Sequence, residues 1–134
     1  MSIHTTSIID PSAKIARDVQ IGPFCTIGED VHIESGSKII SHAVIKGPTV
    51  IGKNSAIAAS CAIAGSTKIG ENFQMGGLSG VLGHLEICKD VKVGAHTLIT
   101  KSISEPGEYI GIMPAQHHKD WAKSSIFIKN KGKK

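Results

Sequence analysis

Histidine side chains are the groups in this chain that can exchange protons near neutral pH, so their positions limit its acid–base chemistry. His84 lies in the run Gly83-His84-Leu85-Glu86-Ile87-Cys88, and His42 follows Ser41 between two apolar stretches. The remaining histidines have no supporting motif or lie near the C-terminus, and they are His4, His32, His96, His117 and His118. A proton-accepting histidine must be held beside its substrate, so we turn to the elements that carry His42 and His84.

An aliphatic side chain, once replaced by Met, recurs at every sixth position, and this period identifies the scaffold. An α-helix repeats every 3.6 residues, so a strict period of six argues against it. Glycine follows the aliphatic residue in several hexads, and a second small or apolar residue often falls four positions after it. The seventeen hexads begin at Ile3, Ile9, Ile15, Ile21, Ile27, Ile33, Ile39, Ile45, Ile51, Ile57, Ile63, Ile69, Met75, Val81, Ile87, Val93 and Ile99.

Two inward positions per hexad predict a short strand followed by a corner, and three strands predict one triangular coil. Stacked through parallel ladders, nearly six such coils form a prism about 27 Å tall. Gly47, Gly65 and Gly83 are 18 residues apart and therefore stack in successive coils. We predict an all-β fold with a β-helix over residues 1–104. Residues 105–134 are expected to form an exit segment, a short helix over 116–128 that covers the last coil, and a basic tail.

The charge pattern predicts one face that contacts a partner. The six hexads that begin at Ile3, Ile21, Ile39, Ile57, Met75 and Val93 contain no Asp, Glu, Lys or Arg. An uncharged face on a thin prism indicates burial against a copy of the chain or a cap, although small residues could simply favour coil packing. The net charge of +4 lies largely after Lys119, and stacking aromatic side chains are scarce, so nucleic-acid binding is not expected.

Cysteine usage and hydropathy favour a cytoplasmic location. Cys25, Cys61 and Cys88 form no Cys-x-x-Cys pair and are odd in number, which is typical of a reduced environment. The N-terminus has no signal-peptide pattern, and no apolar run approaches the roughly 20 residues of a membrane helix.

Several runs resemble the hexapeptide-repeat acyltransferases of lipid A synthesis. The stretches at residues 64–70, 83–88 and 103–109 resemble the UDP-3-O-acylglucosamine N-acyltransferases. The stretches at residues 21–25 and 41–44 resemble the UDP-N-acetylglucosamine O-acyltransferases. The resemblance implies a single-stranded left-handed parallel β-helix that forms homotrimers. The chain resembles a hybrid joined near residues 50–54, either a short natural relative or an engineered fusion.

The same resemblance assigns roles to individual residues. These families transfer a 3-hydroxyacyl group from the phosphopantetheine thioester of acyl carrier protein to a UDP-glucosamine derivative, with no bound cofactor or metal. Gly47 stands where the family has its catalytic histidine. Gly65 matches the glycine whose backbone N–H stabilises the oxyanion, although a tight corner also needs a glycine. His84 matches the second histidine of the site, or is a surface imidazole.

Contacts with the acyl chain or the carrier protein are implied at a second set of positions. These are Leu98, Lys101, Lys119 and Lys123, although the lysines after residue 119 also fit a frayed, solvated tail. The resemblance implies that the family binds its nucleotide sugar with help from additional domains, which we do not expect within these 134 residues, so nucleotide-sugar affinity is expected to be reduced.

The expected function is therefore acyl transfer with impaired or absent catalysis, because glycine cannot accept a proton. Alternatives are a catalytically silent trimeric scaffold, a carrier-protein binder, and a CoA-dependent acetyltransferase. A neighbouring subunit's His42 could replace the missing base, or it packs in the interface. A metal-dependent carbonic anhydrase is disfavoured, since His84 and His96 are two hexads apart and lie on different faces.

Overall fold

The computed structural model describes residues 1–133, which contain eighteen short strands and one α-helix. In chain order the strands are β1 (Ser2–Ile3), β2 (Ile8–Ile9), β3 (Lys14–Ile15), β4 (Gln20–Ile21), β5 (Thr26–Ile27), β6 (Val31–Ile33), β7 (Lys38–Ile39), β8 (Val44–Ile45), β9 (Thr49–Ile51), β10 (Ala56–Ile57), β11 (Ala62–Ile63), β12 (Thr67–Ile69), β13 (Gln74–Met75), β14 (Gly80–Val81), β15 (Glu86–Ile87), β16 (Val91–Val93), β17 (Leu98–Ile99) and β18 (Gly107–Tyr109). The helix α1 spans His118–Lys131.

The strands form three parallel sheets that the chain visits in rotation. The seven-stranded sheet has the order β1-β4-β7-β10-β13-β16-β18, the six-stranded sheet β17-β14-β11-β8-β5-β2, and the five-stranded sheet β15-β12-β9-β6-β3. Partners in successive coils are 18 residues apart, as Ile45 and Ile63 are. This arrangement is the predicted left-handed parallel β-helix of about six coils.

The last coil is shorter than the others. Ile87 pairs with Ile103, and Val93 pairs with Tyr109, so both separations are 16 residues rather than 18. The Glu105-Pro106-Gly107 turn thus returns the chain to the seven-stranded sheet after the hexads end. The ladder extends to Tyr109, which lies past the β-helix boundary expected at residue 104.

The aliphatic column fills the axis of the β-helix. From Ile21 to Ile99 every member of the column is buried, with at most 7% of its surface exposed. Ile3, Ile9 and Ile15 in the first coil are only partly buried. The second inward position is also buried, and its apolar members include Val19, Cys25, Val31, Ala43, Cys61, Phe73 and Val91. The hexad period therefore predicted the core correctly.

Hydroxyl groups share this second inward column with the apolar residues. Its buried polar members are Ser37, Thr49, Ser55, Thr67, Ser79 and Thr97. Thr67 Oγ1 donates to the Leu82 carbonyl at 2.9 Å, and Ser79 Oγ donates to the Gly94 carbonyl at 2.8 Å. Each of these bonds satisfies a corner carbonyl of the next coil, so the buried hydroxyls hold consecutive corners together.

Three corners connect the sheets, and they organise the surface. The first corner joins the seven- to the six-stranded sheet at residues 22–25, 40–43, 58–61, 76–79 and 94–97. The second corner joins the six- to the five-stranded sheet at residues 28–30, 46–48, 64–66 and 82–85. The third corner closes each coil. Among the described residues, eleven other than glycine have positive φ, and all of them lie in corners: Phe24, Asp30, His42, Asn54, Ser60, Ser66, Asn72, Leu78, His84, Asp90 and His96.

The C-terminal helix is present but does not cover the last coil. The His117 side chain accepts a hydrogen bond from the Lys119 N–H and caps α1, yet no residue of the helix is buried. The expected covering role is wrong, because Ile126, Phe127 and Ile128 are consecutive and cannot all face the β-helix. Within residues 1–133, no helix is long and apolar enough to cross a membrane.

Candidate functional site

The three glycines that the sequence placed in one column lie together at the second corner. A Cβ built on Gly65 would lie 2.6 Å from the Gly47 carbonyl oxygen, and one on Gly83 would lie 2.9 Å from the Gly65 carbonyl oxygen. Such short distances mean that the backbones of neighbouring coils approach more closely here than a side chain allows. The predicted stacking of Gly47, Gly65 and Gly83 is confirmed.

Gly47 is half-buried, and the position of a Cβ on it is blocked by backbone atoms. A Cβ at this position would lie 1.4 Å from the Glu29 carbonyl oxygen and 2.6 Å from the carbonyl carbon. Backbone atoms cannot rotate away as the end of a flexible side chain can. Position 47 therefore lacks a proton acceptor and also lacks the space for one in this conformation of the corner.

The Gly65 N–H is placed where an external oxygen could reach it. The N–H groups of both flanking residues are hydrogen-bonded within the fold. The Ala64 N–H donates to the Val81 carbonyl at 3.0 Å, and the Ser66 N–H donates to the Pro48 carbonyl. The Gly65 N–H donates to no backbone carbonyl within residues 1–133, while the Gly65 carbonyl accepts from the His84 N–H at 3.1 Å. An N–H that no backbone carbonyl occupies is available to donate to a ligand oxygen, which an oxyanion donor requires.

His84 directly follows Gly83 at the same corner. Its φ of 62° places it in the left-handed region, and its side chain is exposed. The backbone hydrogen bond to Gly65 fixes His84 one coil away from that glycine. The structure thus brings Gly47, Gly65 and His84 together, and the catalytic roles implied for them stay predictions.

His42 lies at the first corner, away from this group. Its ring centroid is 5.1 Å from that of Phe24 at an angle of 37°, and its N–H donates to the Pro23 carbonyl at 3.0 Å. His42 precedes strand β8 and Gly47 follows it, so the two residues lie beyond opposite ends of this strand. Within one protomer His42 cannot replace a base at position 47.

The residues implied for acyl-chain or carrier contacts form two separate groups. Leu98 points outward from β17 with 56% of its surface exposed, and Lys101 lies just beyond the same strand. Both line an open groove of about 440 Å³ at the end of the β-helix. Lys119 and Lys123 are exposed on α1.

A family model described as the GMPPB C-terminal domain matches residues 3–106. The chain belongs to this family. The GMPPB C-terminal domain match therefore covers the complete hexad array and ends in the shortened last coil.

Curated relatives match a smaller part of the chain. The acyl-(acyl-carrier-protein)–UDP-N-acetylglucosamine O-acyltransferase of Saccharophagus degradans is 58% identical over 55 residues, which are 41% of this chain and 21% of the relative. The enzyme of the same name from Rickettsia typhi is 45% identical over 56 residues, or 42% of this chain and 21% of the relative. The aligned part is thus about a fifth of these relatives' length. The chain is related to the O-acyltransferases, and the finer resemblance to the N-acyltransferases stays a prediction.

Solved structures share the fold over more of the chain. A hexapeptide transferase family protein from Anaplasma phagocytophilum aligns with a TM-score of 0.54 and 23% identity, covering 96% of this chain and 87% of that one. Serine acetyltransferase isoform 3 from Entamoeba histolytica, solved in complex with cysteine, aligns with a TM-score of 0.51 and 27% identity. That alignment covers 80% of this chain and 41% of the acetyltransferase.

The uncharged hexads of this GMPPB C-terminal domain protein do not form one flat face. Each hexad runs from an inward residue of the seven-stranded sheet around the first corner to the outward residue of the next strand. The neighbouring outward positions of the seven-stranded sheet include Lys38 and Lys92, so the uncharged surface ends there. We call this surface the uncharged edge, and its exposed apolar side chains are Ile8, Phe24, Ile40, Leu78 and Leu98.

Sequence reasoning missed a groove beside the second corner. It has a volume of about 420 Å³ and lies over the outward face of the five-stranded sheet. Its lining residues include Asp30, His32, Pro48, Val50 and Lys68. His32 pairs in register with Val50, and Val50 pairs with Lys68, so the 18-residue spacing of these positions was the signal available in the sequence.

Proposed function

We propose that this chain is a trimeric acyltransferase-type β-helix whose own acyl transfer is impaired or absent. The reaction class is acyl transfer from acyl carrier protein to a UDP-glucosamine derivative, as the names of the related O-acyltransferases suggest, and the family resemblance makes the acyl group a 3-hydroxyacyl group. The observation that carries the proposal is the Glu29 carbonyl oxygen, which lies 1.4 Å from where a Cβ on Gly47 would be. The base of the resembled family has no place at that corner.

The remaining parts of the site support substrate engagement without proton transfer. The Gly65 N–H, which donates to no backbone carbonyl within residues 1–133, can donate to a thioester or sugar oxygen, and His84 is hydrogen-bonded to the same residue. Lys101, Lys119 and Lys123 offer positive charge to an acidic carrier protein, and Leu98 offers an apolar contact to an acyl chain. The donor thioester would be the carrier's phosphopantetheine, which fits a cytoplasmic protein.

The uncharged edge supports the proposed three-fold assembly. Ile8, Phe24, Leu78 and Leu98 each expose more than half of their surface along this edge, which is a pattern typical of contact surfaces. In a closed three-fold ring, the edge of one subunit packs against a different surface of the next. Sedimentation equilibrium should therefore give a trimer mass, and Leu78→Lys should yield monomers. Gln74→Lys, at an exposed outward position of β13, is the matched control and should leave the trimer intact.

Acyl transfer from 3-hydroxyacyl carrier protein to UDP-N-acetylglucosamine and UDP-acylglucosamine tests the catalytic part. General-base catalysis contributes about 100- to 10,000-fold, so the chain should be slower than the Saccharophagus degradans relative by at least that lower factor. Turnover within tenfold of the relative would refute the assignment of position 47.

A gain-of-function variant tests whether a histidine restored at position 47 raises the rate of acyl transfer. Gly47→His alone does not fit in this conformation of the corner. Residues 45–48 are therefore changed to Ile-Ala-His-Asn, the type of run in which the resembled family carries its histidine, through Lys46→Ala, Gly47→His and Pro48→Asn. Its control carries Lys46→Ala and Pro48→Asn with Gly47 retained. A rate increase of about 100-fold or more in the histidine variant alone supports the proposal. Equal rates in the two properly folded variants contradict it.

Two alternative functions have specific support. A silent carrier-protein binder is favoured by the missing base. This alternative predicts that titration calorimetry detects binding of acyl carrier protein without turnover. The triple variant Lys101→Ala/Lys119→Ala/Lys123→Ala should weaken this binding, whereas Lys14→Ala/Lys53→Ala/Lys89→Ala should not. A CoA-dependent acetyltransferase is favoured by the similarity to serine acetyltransferase. It predicts turnover with acetyl-CoA in place of acyl carrier protein.

A further inference from the structure

The C-terminal segment exposes large apolar side chains that its own β-helix does not cover. Ile110, Trp121 and Phe127 are 70%, 51% and 68% exposed, and no residue of α1 is buried. Burial of apolar side chains against a partner surface is favourable, so the exposure of these side chains indicates that another molecule or surface binds them.

The arrangement of these side chains favours a lipid surface over a folded protein as their binding partner. Ile126, Phe127 and Ile128 are consecutive, so their side chains leave the helix at steps of about 100° and point in three directions. A packed helix or protein groove covers one side of a helix and would leave at least one of the three in water. A lipid surface into which the last turns dip surrounds all three.

Charge specifies the kind of lipid. The segment 118–133 contains five lysines, at positions 119, 123, 129, 131 and 133, against the single carboxylate of Asp120. Lys129, Lys131 and Lys133 directly follow the apolar triplet. Lysines beside exposed aromatic and aliphatic residues match the headgroup region of an anionic bilayer.

We propose that the C-terminal half of α1 binds the surface of a bilayer that contains anionic phospholipid. The apolar triplet enters the headgroup–acyl boundary, and the lysines that follow it reach back to the phosphates along their flexible side chains. Trp121 precedes Ile128 by seven residues and therefore lies on the same side of the helix, at the depth that tryptophan prefers. This inference does not depend on the proposed catalytic function.

Trp121 is the single tryptophan of the chain, so its fluorescence reports directly on the helix. The full-length protein is titrated with vesicles of phosphatidylcholine and with vesicles in which roughly a third is phosphatidylglycerol. A blue shift with the anionic vesicles, and co-sedimentation of the protein with them, are expected. Pure phosphatidylcholine should give a much smaller response.

Matched variants separate the apolar and electrostatic contributions. Phe127→Ser should weaken the apparent affinity for vesicles about tenfold or more, whereas Leu82→Ser, at an exposed β-helix position, should not. Lys129→Gln/Lys131→Gln/Lys133→Gln should weaken it about fivefold per lysine, whereas Lys14→Gln/Lys53→Gln/Lys89→Gln should have little effect. All replaced side chains are exposed, and circular dichroism checks the fold.

Three results would overturn the inference. One is the absence of any response to anionic vesicles. Another is a blue shift that depends on protein concentration without lipid, which would show that a second copy covers the helix. The third is binding that Phe127→Ser and the lysine variant leave unchanged, since the contact would then lie elsewhere on the molecule.

Discussion

Alanine at position 47 should destabilise the protein strongly, because the new Cβ would overlap the Glu29 carbonyl oxygen. Ordinary contacts begin at 3.4 Å, and the Cβ would lie at 1.4 Å, so the two coils must separate by about 2 Å. The flanking hydrogen bonds between these two coils would break: Gly28 N–H to the Ile45 carbonyl at 2.9 Å, and Thr49 N–H to the Asp30 carbonyl at 3.4 Å. Two bonds at about 1 kcal/mol each, with about 1–3 kcal/mol of overpacking, give a loss of roughly 3–5 kcal/mol.

Urea denaturation followed by circular dichroism measures this loss as a shift of the midpoint at constant slope. Gly77→Ala is the matched control. A Cβ at position 77 meets its nearest atom, the Ala59 carbonyl oxygen, at 3.5 Å, so the free energy of unfolding should change by about 1 kcal/mol or less. If Gly47→Ala is as stable as Gly77→Ala, the corner can hold a side chain, and the observation behind the proposed function fails.

Three further outcomes test the core, the buried hydroxyls and the corners. Phe73→Ala should lower the free energy of unfolding by about 3–5 kcal/mol, because Phe73 is 0% exposed, while Gln74→Ala should be nearly neutral. Thr67→Val should cost about 1–2 kcal/mol in the same denaturation assay, since the Leu82 carbonyl loses its 2.9 Å donor. The Gly36 N–H and then the Ser35 hydroxyl lower the pKa of the Asp18 carboxyl below 3.8. The stabilisation is therefore present above about pH 4 and is lost as the pH falls through the lowered pKa, so the stability difference from Asp18→Ala should shrink at pH 2–3. A difference that stays constant with pH would contradict this assignment.

The core was predictable because it depends on the spacing of residues along the chain alone. A strict hexad period determines which side chains point inward, and Ile27, Ile63 and Ile87 are buried as expected. The second inward column followed for the same reason. Its hydroxyl members were missed, since Ser and Thr are ordinarily read as surface residues and their acceptors are corner carbonyls of the next coil.

The features that the sequence did not predict depend on contacts between coils or on the absence of contacts. The obstruction at Gly47 comes from the Glu29 carbonyl one coil earlier, and a sequence does not give that distance. The shortened last coil follows from the turn before Gly107, after the period has ended. The helix was expected because its residues favour one, but its apolar side chains point in several directions and give it no single face for packing.

The 18-residue register, which every coil before the shortened last one keeps, has a consequence for how such chains change. Each coil meets only its two neighbours, and every coil presents nearly the same upper and lower rim. Removing or adding a whole coil, or splicing two homologous genes between coils, therefore preserves all remaining ladders. A gain or loss of one residue would instead rotate inward side chains to the outside in every later turn. The architecture thus accepts change in whole turns, and the remaining coils still form one continuous tube.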